Sequence, residues 1–220
     1  MPDQITDAIT ERLSKCYTGV VHDVMRGLGM RNFTLPHDIV PLMPEKPLCG
    51  PVFTIEGRVD EAADAHQTLL EWTGLLSKAK SGHIWVCQPH DRQIAQMGEL
   101  SAETLLGKGV LGCVVDGGIR DTNFLIDMGF QSWSRFHTPR DIVGHWLPQG
   151  FDVDIMIGDV LIQPGDYLNG DRDGMVRVPK DRVVEITELA ETAIGTENKV
   201  RTAILDGVDP QDAYLQFGKF

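Results

Sequence analysis

The segment Gly107 to Asp121, GKGVLGCVVDGGIRD, limits the possible folds of this chain more than any other. It reads as a glycine-broken helix end, a short apolar strand (Cys113 to Val115), a tight turn (Asp116, Gly117, Gly118) and a new helix opening at Arg120-Asp121. A strand–turn–helix unit set between helical stretches belongs to an α/β fold, which places ligands at the carboxyl ends of its strands. An Arg in the first turn of a helix opposes the helix dipole. Arg120 therefore asks for a reason beyond stability, and a bound anion supplies one.

The rest of the chain supports an α/β reading. Helical spacing marks Thr6 to Leu13, Thr18 to Leu28 and Asp64 to Leu76, the last with Ala65, Leu69, Trp72 and Leu76 on one face. Strand-like runs occupy Ile39 to Leu42, Pro51 to Val59, Gly82 to Cys87, Gln131 to Arg135 and Val143 to Leu147. A helix is expected from Gly98 to about Leu106 and another from Thr122 to Met128. Phe151 to Pro179 is dense in Gly, Asp and alternating Val/Ile, which predicts short antiparallel strands at Asp159 to Gln163, Tyr167 to Asn169 and Met175 to Val178. Helical periodicity returns at Asp181 to Ile194 and continues into the tail with a break near Gly207 to Pro210. With no repeat, linker or low-complexity stretch, the 220 residues read as one domain, residues 1–220, with a helical tail from about 181.

Charge excludes some functions. The formal net charge is −12 and no basic run offers a footprint for phosphates, so nucleic acid is not an expected partner. The polar, amphipathic start MPDQITDAITERLSK gives neither a membrane span nor a leader, and a reducing cytoplasm is the expected setting. Cys16, Cys49, Cys87 and Cys113 form no CxxC pair and read as free thiols, buried where they fall in apolar runs.

Gly107 to Gly112 matches GxGxxG, but it closes a helix and enters a strand, the reverse of a dinucleotide site. Its glycines read as helix termination and close packing. The histidines show no HxH or HExxH spacing and no serine lies in a GxSxG elbow. His90-Asp91 is the most suggestive pair among them. Asp116 reads as a turn or cap residue. At Gly98-Glu99-Leu100-Ser101 a helix begins, and the free amides of Leu100, Ser101 and Ala102 offer an anion site. If the strands ending at Cys87 and Val115 are neighbours, this helix start and Arg120 open at the same sheet edge. A small carboxylate could then take amides from one arm and a guanidinium from the other.

These residues resemble the RraA-like family, which contains regulators of ribonuclease activity and 4-hydroxy-4-methyl-2-oxoglutarate/4-carboxy-4-hydroxy-2-oxoadipate aldolases. The likeness runs from Gly98-Glu99-Leu100 through Gly109, Gly112 and Val115-Asp116-Gly117 to Arg120-Asp121. It extends to Ile39-Val40-Pro41, Leu48 to Val52, Met128-Gly129-Phe130, Gln163 to Asp166, Gly170 to Gly174 and Val178-Pro179. The resemblance implies a swivelling β/β/α, phosphohistidine-domain-like layered sandwich, assembled as homotrimers or hexamers with sites between subunits. It implies a metal-dependent carbon–carbon lyase that releases pyruvate from a 4-hydroxy-2-oxo acid, with oxaloacetate decarboxylation as a side activity. Arg120 would hold the pyruvyl part. Asp121 would ligate Mg2+ or Mn2+ directly and Glu99 through water, while Gly98 and the amides of Leu100 and Ser101 would bind the substrate carboxylate. Glu191 or Glu197 of a neighbouring subunit is expected to approach the metal.

The family's other branch implies a non-catalytic module that binds a ribonuclease. The chain departs from the usual small apolar run at Ser101 to Thr104, which suggests a more polar pocket wall and leaves open a lyase acting on another hydroxy or oxo acid. An imine mechanism is not expected, since Lys108, the nearest lysine, faces the wrong end of its helix.

Overall fold

The computed structural model describes residues 6–219, so the first five residues of the amphipathic start lie outside it. The chain runs α1 (Ala8–Leu13), α2 (Thr18–Gly27), β1 (Val40–Pro41), β2 (Leu48–Val59), α3 (Ala65–Ser77), β3 (Ile84–Gln88), β4 (Ala95–Met97) and α4 (Glu99–Gly107). It continues through β5 (Gly112–Ile119), α5 (Thr122–Asp127), β6 (Ser132–His137), β7 (Trp146–Phe151), β8 (Ile155–Ile157) and β9 (Val160–Ile162). The last elements are β10 (Tyr167–Asp171), β11 (Gly174–Val178), α6 (Val183–Leu205) and α7 (Pro210–Phe217).

Nine strands form one mixed sheet in the order β1-β6-β5-β3-β2-β10-β11, with β4 on β5 and β7 on β2. Its centre is parallel: β2 pairs β3, β3 pairs β5, and β5 pairs β6. The strands ending at Cys87 and Val115 are thus neighbours, with Cys87 opposite Val115. All five residues of β3 and all eight of β5 are buried, the pattern of strands covered on both faces. One apolar layer packs the sheet against α3, α4 and α5 through Trp72, Trp85, Leu105, Leu125 and Trp146. The opposite layer joins Val86, Val114 and Trp133 to the β8–β9 hairpin. A third joins α1, α2 and α6 to Val176 and Val178 of β11.

Three expectations need correction. The expected turn at Asp116-Gly117-Gly118 is interior strand. A Cβ on Gly117 would lie 2.8 Å from Gln96 Oε1, and one on Gly118 would lie 2.6 Å from the Ile94 carbonyl oxygen. The glycines therefore allow β4 to press against β5. Asp116 is no turn residue: it is buried, forms an ion pair with Arg135 of β6 and accepts a hydrogen bond from Gln88 Nε2 at 2.6 Å. β4 itself, three residues long, was not expected; the helix expected from Asp181 into the tail is α6, unbroken to Leu205.

The break between α6 and α7 falls where Gly207 takes a left-handed φ of +89°. All four cysteines are free, with Cys16, Cys87 and Cys113 buried. Among the described residues no helix is long and apolar enough to cross a membrane.

Candidate functional site

Two chain segments meet at the carboxyl end of β5. The first leaves β4 through Gly98, the N-cap of α4, which is extended at φ −150° and ψ −174°. The second leaves β5 as Arg120 and Asp121, and the Arg120 amide donates to the Met97 carbonyl at 2.9 Å. That bond continues the β4–β5 ladder and fixes the two exits side by side. A larger residue at the first exit would have to push the Arg120 and Asp121 side chains aside. A Cβ on Gly98 would sit 2.6 Å from Asp121 Oδ2 and 3.0 Å from Arg120 Cγ.

Asp121 occupies the left-handed region at φ 55°, ψ 35°, where only Asn, Asp and Gly are at all common among residue types. It precedes α5 without capping it. Its Oδ2 instead accepts the Glu99 amide hydrogen at 3.1 Å and lies 3.3 Å from Arg120 Nε. Neither contact uses Oδ1. Arg120 Nη1 reaches Asp141 Oδ2 at 3.1 Å, and the Asp141 carboxylate also accepts from the Val143 amide at 3.1 Å. The guanidinium is therefore held by two carboxylates while remaining 37% exposed.

These groups line a cleft of about 340 Å³. Gly98, Glu99, Leu100, Ser101, Arg120, Asp121 and Asp141 are among its lining residues, together with Leu69, Trp72, Thr73 and Leu76 of α3, Thr104, Ile142 and Val143. Trp72 stands edge-on to Trp85 and Trp146 with centroids 5.9 Å and 6.0 Å away, and its Nε1 donates to Ser101 Oγ at 3.0 Å. Gln96 also lines the cleft, and neither polar atom of its buried side chain has a partner among the described residues.

The structure thus brings together Gly98, Glu99, Leu100, Ser101, Arg120 and Asp121. It also revises how they act. Arg120 is not in a helix, since α5 starts at Thr122, so no helix dipole opposes it. The Ala102 amide is spent on the Gly98 carbonyl at 2.9 Å, leaving Leu100 and Ser101 as the amides of the first turn without an intrahelical acceptor. Ser101 Oγ accepts a hydrogen bond from Trp72 Nε1 at 3.0 Å, and the Thr104 hydroxyl donates to the Leu100 carbonyl at 2.8 Å.

His90 lies outside the cleft, 3.0 Å from Glu56 Oε1, and Asp91 caps the amides of Gln93 and Ile94 at 2.5 and 2.8 Å. Lys108 Nζ donates to the Ser77 carbonyl at 3.0 Å, away from the cleft. Of the GxGxxG glycines, Gly109 and Gly112 are closely packed, since a Cβ would lie 2.6 Å from Ser81 Oγ and 2.5 Å from the Gln131 carbonyl oxygen respectively, whereas Gly107 faces open space. Within the chain, Glu191 is paired with Arg12 at 2.6 Å and Glu197 with Lys219 at 2.7 Å. Asp141 was missed, and it carried no local signal: it reaches Arg120 from a loop 21 residues away.

A family profile described as RraA-like (Aldolase/RraA) matches residues 18–177. The chain belongs to the RraA-like family. The family includes aldolases and ribonuclease regulators, and relatives of this RraA-like chain carry both kinds of name. An uncharacterised protein of Methanocaldococcus jannaschii is 32% identical over 121 residues, 54% of this chain and 57% of that protein. A Halalkalibacterium halodurans protein provisionally named as a 4-hydroxy-4-methyl-2-oxoglutarate aldolase is 31% identical over 112 residues, 49% of this chain and 51% of that protein. The chain thus spans about half the length of these curated relatives. The crystal structure of Streptomyces coelicolor RraAS2, described as an unusual member of the RNase ES inhibitor RraA protein family, superposes with a TM-score of 0.79 at 25% identity, covering 90% of this chain and 99% of that one.

Proposed function

We propose that this chain is a divalent-metal-dependent lyase that cleaves a 4-hydroxy-2-oxo acid, such as 4-hydroxy-4-methyl-2-oxoglutarate or 4-carboxy-4-hydroxy-2-oxoadipate, to pyruvate and a second oxo acid. Oxaloacetate decarboxylation follows as a side activity, because it leaves the same enolate. The observation that carries this reading is the junction of Arg120, Asp121 and the α4 first turn in one cleft. The orphaned amide of Gln96 in the cleft supports it, since buried polar groups in native proteins ordinarily have partners.

The donors suit Mg2+ or Mn2+. Among the described residues no three His, Cys, Asp or Glu side chains form a metal cage. Mg2+ needs only one or two carboxylates and keeps several waters. Asp121 would be the direct ligand and Glu99 a ligand through water, while a neighbouring subunit in a trimer or hexamer could add a carboxylate. When bound, the metal supplies Lewis-acid stabilisation of charge developing at the 2-oxo group.

The chain's own groups do the rest. The amides of Leu100 and Ser101 bind the C1 carboxylate at the helix start. Arg120, fixed between Asp121 and Asp141, adds a preorganised positive charge beside the forming enolate and needs no reorganisation during the reaction. Breaking the C3–C4 bond leaves its electron pair on C3 as the pyruvate enolate, and the C4 hydroxyl oxygen becomes the carbonyl of the second product. The hydroxyl proton passes to Glu99, directly or through water, and Glu99 returns it by the same route to C3, which gives pyruvate and restores the carboxylate. In the same reading the chain is one domain of the swivelling β/β/α kind, with a helical tail from about 181.

Pyruvate release from a panel of oxo acids tests this. Arg120→Ala is expected to lower kcat by about 10²–10³-fold, the usual cost of removing one preorganised donor. Full activity in that variant would sink the reading. The likeness to RraAS2 favours a second reading, a module that binds a ribonuclease. A stoichiometric ribonuclease complex with no lyase activity on the panel would establish that one instead.

A further inference from the structure

Four carboxamide side chains are buried among the described residues: Gln88, Gln96, Gln131 and Asn169. The fold supplies partners to three of them. Gln88 Nε2 donates to Asp116 Oδ2 at 2.6 Å, and its Oε1 accepts from the His90 amide at 3.0 Å. Gln131 Oε1 accepts from the Met43 amide at 3.2 Å, and its Nε2 donates to the Met43 carbonyl at 2.7 Å. Asn169 Nδ2 donates to the Cys16 carbonyl at 2.8 Å. Gln96 is the exception. It borders the cleft, is 2% exposed, and has no partner for Oε1 or Nε2 among the described residues. Gly117 makes room for it, since a Cβ there would lie 2.8 Å from Oε1. A polar group left bare in this way destabilises the free chain, and a ligand that completes it explains why it is kept. A divalent ion cannot partner Nε2, which donates and offers no lone pair to a metal. A docked subunit has almost no Gln96 surface to cover. What remains is a small molecule in the cleft.

The order of groups along β4 identifies the atom that Gln96 meets. The head of α4, just after Gly98, offers the amides assigned to the C1 carboxylate. Next to it, the Arg120 amide is bonded to the Met97 carbonyl at 2.9 Å, which sets Arg120 beside Met97. Gln96 comes next, two strand residues or about 6–7 Å back from Gly98. In a 4-hydroxy-2-oxo acid the carboxylate, the 2-oxo group and the C4 hydroxyl follow in the same order, with C1 and C4 about 4 Å apart across three bonds. We infer that Gln96 recognises the C4 hydroxyl, with Nε2 donating to the hydroxyl oxygen. The inference rests on the lyase reading for the orientation of the substrate. Donation to the oxygen leaves the hydroxyl proton free to pass to Glu99 and stabilises the charge that gathers on the oxygen as the proton leaves. Oxaloacetate has no such hydroxyl, so Gln96 favours carbon–carbon cleavage of the hydroxy acid over decarboxylation.

Gln96→Met, which keeps the length of the side chain and removes its polar atoms, tests this in three ways. The variant should melt at or above the native temperature, by up to about 4 °C, because it relieves a bare buried amide. With Mg2+ present, the ratio of kcat/KM for 4-hydroxy-4-methyl-2-oxoglutarate to that for oxaloacetate should fall about tenfold, the worth of one buried hydrogen bond. Binding to EDTA-stripped protein gives a readout free of turnover. By calorimetry the native protein should hold 4-hydroxy-4-methyl-2-oxoglutarate about tenfold tighter than 4-methyl-2-oxoglutarate, which lacks only the hydroxyl. In Gln96→Met the two acids should bind within about twofold of each other. A variant that melts below the native protein or does not fold would overturn the inference, as would a kcat/KM ratio left unmoved. So would equal binding of the two acids by the native protein, binding of neither, or a hydroxyl preference that survives in the variant. No pyruvate from either substrate, with a hydroxyl preference that Gln96→Met abolishes, would instead count against the lyase reading alone.

Discussion

Asp121 Oδ2 accepts the amide hydrogen of Glu99 at 3.1 Å, and this bond ties the head of α4 to the exit of β5. It joins residues 22 apart in sequence and makes one site of two chain segments. It also accounts for the left-handed backbone of Asp121, because the short acidic side chain is turned toward α4 instead of its own helix.

Asp121→Asn should separate fold from chemistry. Asn tolerates the left-handed region and can still accept the Glu99 hydrogen, so the melting temperature should stay close to that of the native protein. Pyruvate release should fall by at least about a hundredfold with the loss of the charged ligand. Asp121→Ala should lose activity and also about 1–2 kcal/mol of stability, because alanine is penalised at that φ. Urea melts of the two variants check the difference.

Gly98→Ala tests the close approach of the two exits. Its Cβ would press on Asp121 Oδ2 and Arg120 Cγ, moving both groups out of position. A displacement of this order costs about 10²-fold in rate when it affects a reacting geometry. Steady-state kinetics should record that loss, while circular dichroism should still report a folded chain.

Arg135 and Asp116, the second within the family motif, make the opposite case, a buried charged pair that joins neighbouring strands. Their side chains are 8% and 5% exposed. Arg135→Leu leaves the Asp116 charge buried without its closest cation and should cost about 3–5 kcal/mol in chemical denaturation. The active-site geometry of any folded fraction should be unchanged, so activity per folded molecule should be retained.

Alkaline pH should loosen the terminal helices. Burial pushes the phenols of Tyr17 and Tyr167 up to about 12, and contacts with Glu197 and Asp7 add to the rise. The unfolded phenol titrates near 10, so the folded state favours the protonated form. Its stabilisation is complete below pH 10 and is lost as pH rises from 10 to 12. Melting temperature should fall across that window as phenolate absorbance rises, and Tyr17→Phe should flatten the slope.

Much of this was legible in the residues themselves. β3 and β5 are continuous apolar runs, and such runs have few alternatives to a buried parallel strand. The α4 start and the Arg120-Asp121 pair could be placed at one sheet edge only on the condition that the strands ending at Cys87 and Val115 are neighbours, which they are. What misled was Gly117-Gly118. A glycine pair after Asp has the local chemistry of a turn, and only the tertiary contacts with Ile94 and Gln96 show that the missing side chains make room for β4. Arg120 was noticed because it seemed to oppose a helix dipole; the structure places it before the helix, where its partners are Asp121 and Asp141. Ser101 and Thr104 looked polar as letters, and the hydrogen bonds that Ser101 Oγ accepts from Trp72 and that Thr104 donates to the Leu100 carbonyl could not be read from sequence.

The most direct test of the central claim is pyruvate release from 4-hydroxy-4-methyl-2-oxoglutarate by protein stripped with EDTA and then resupplied with Mg2+. Turnover should be absent in the stripped protein and return with the metal. Turnover that persists without metal, or none after Mg2+ is restored, would contradict the account.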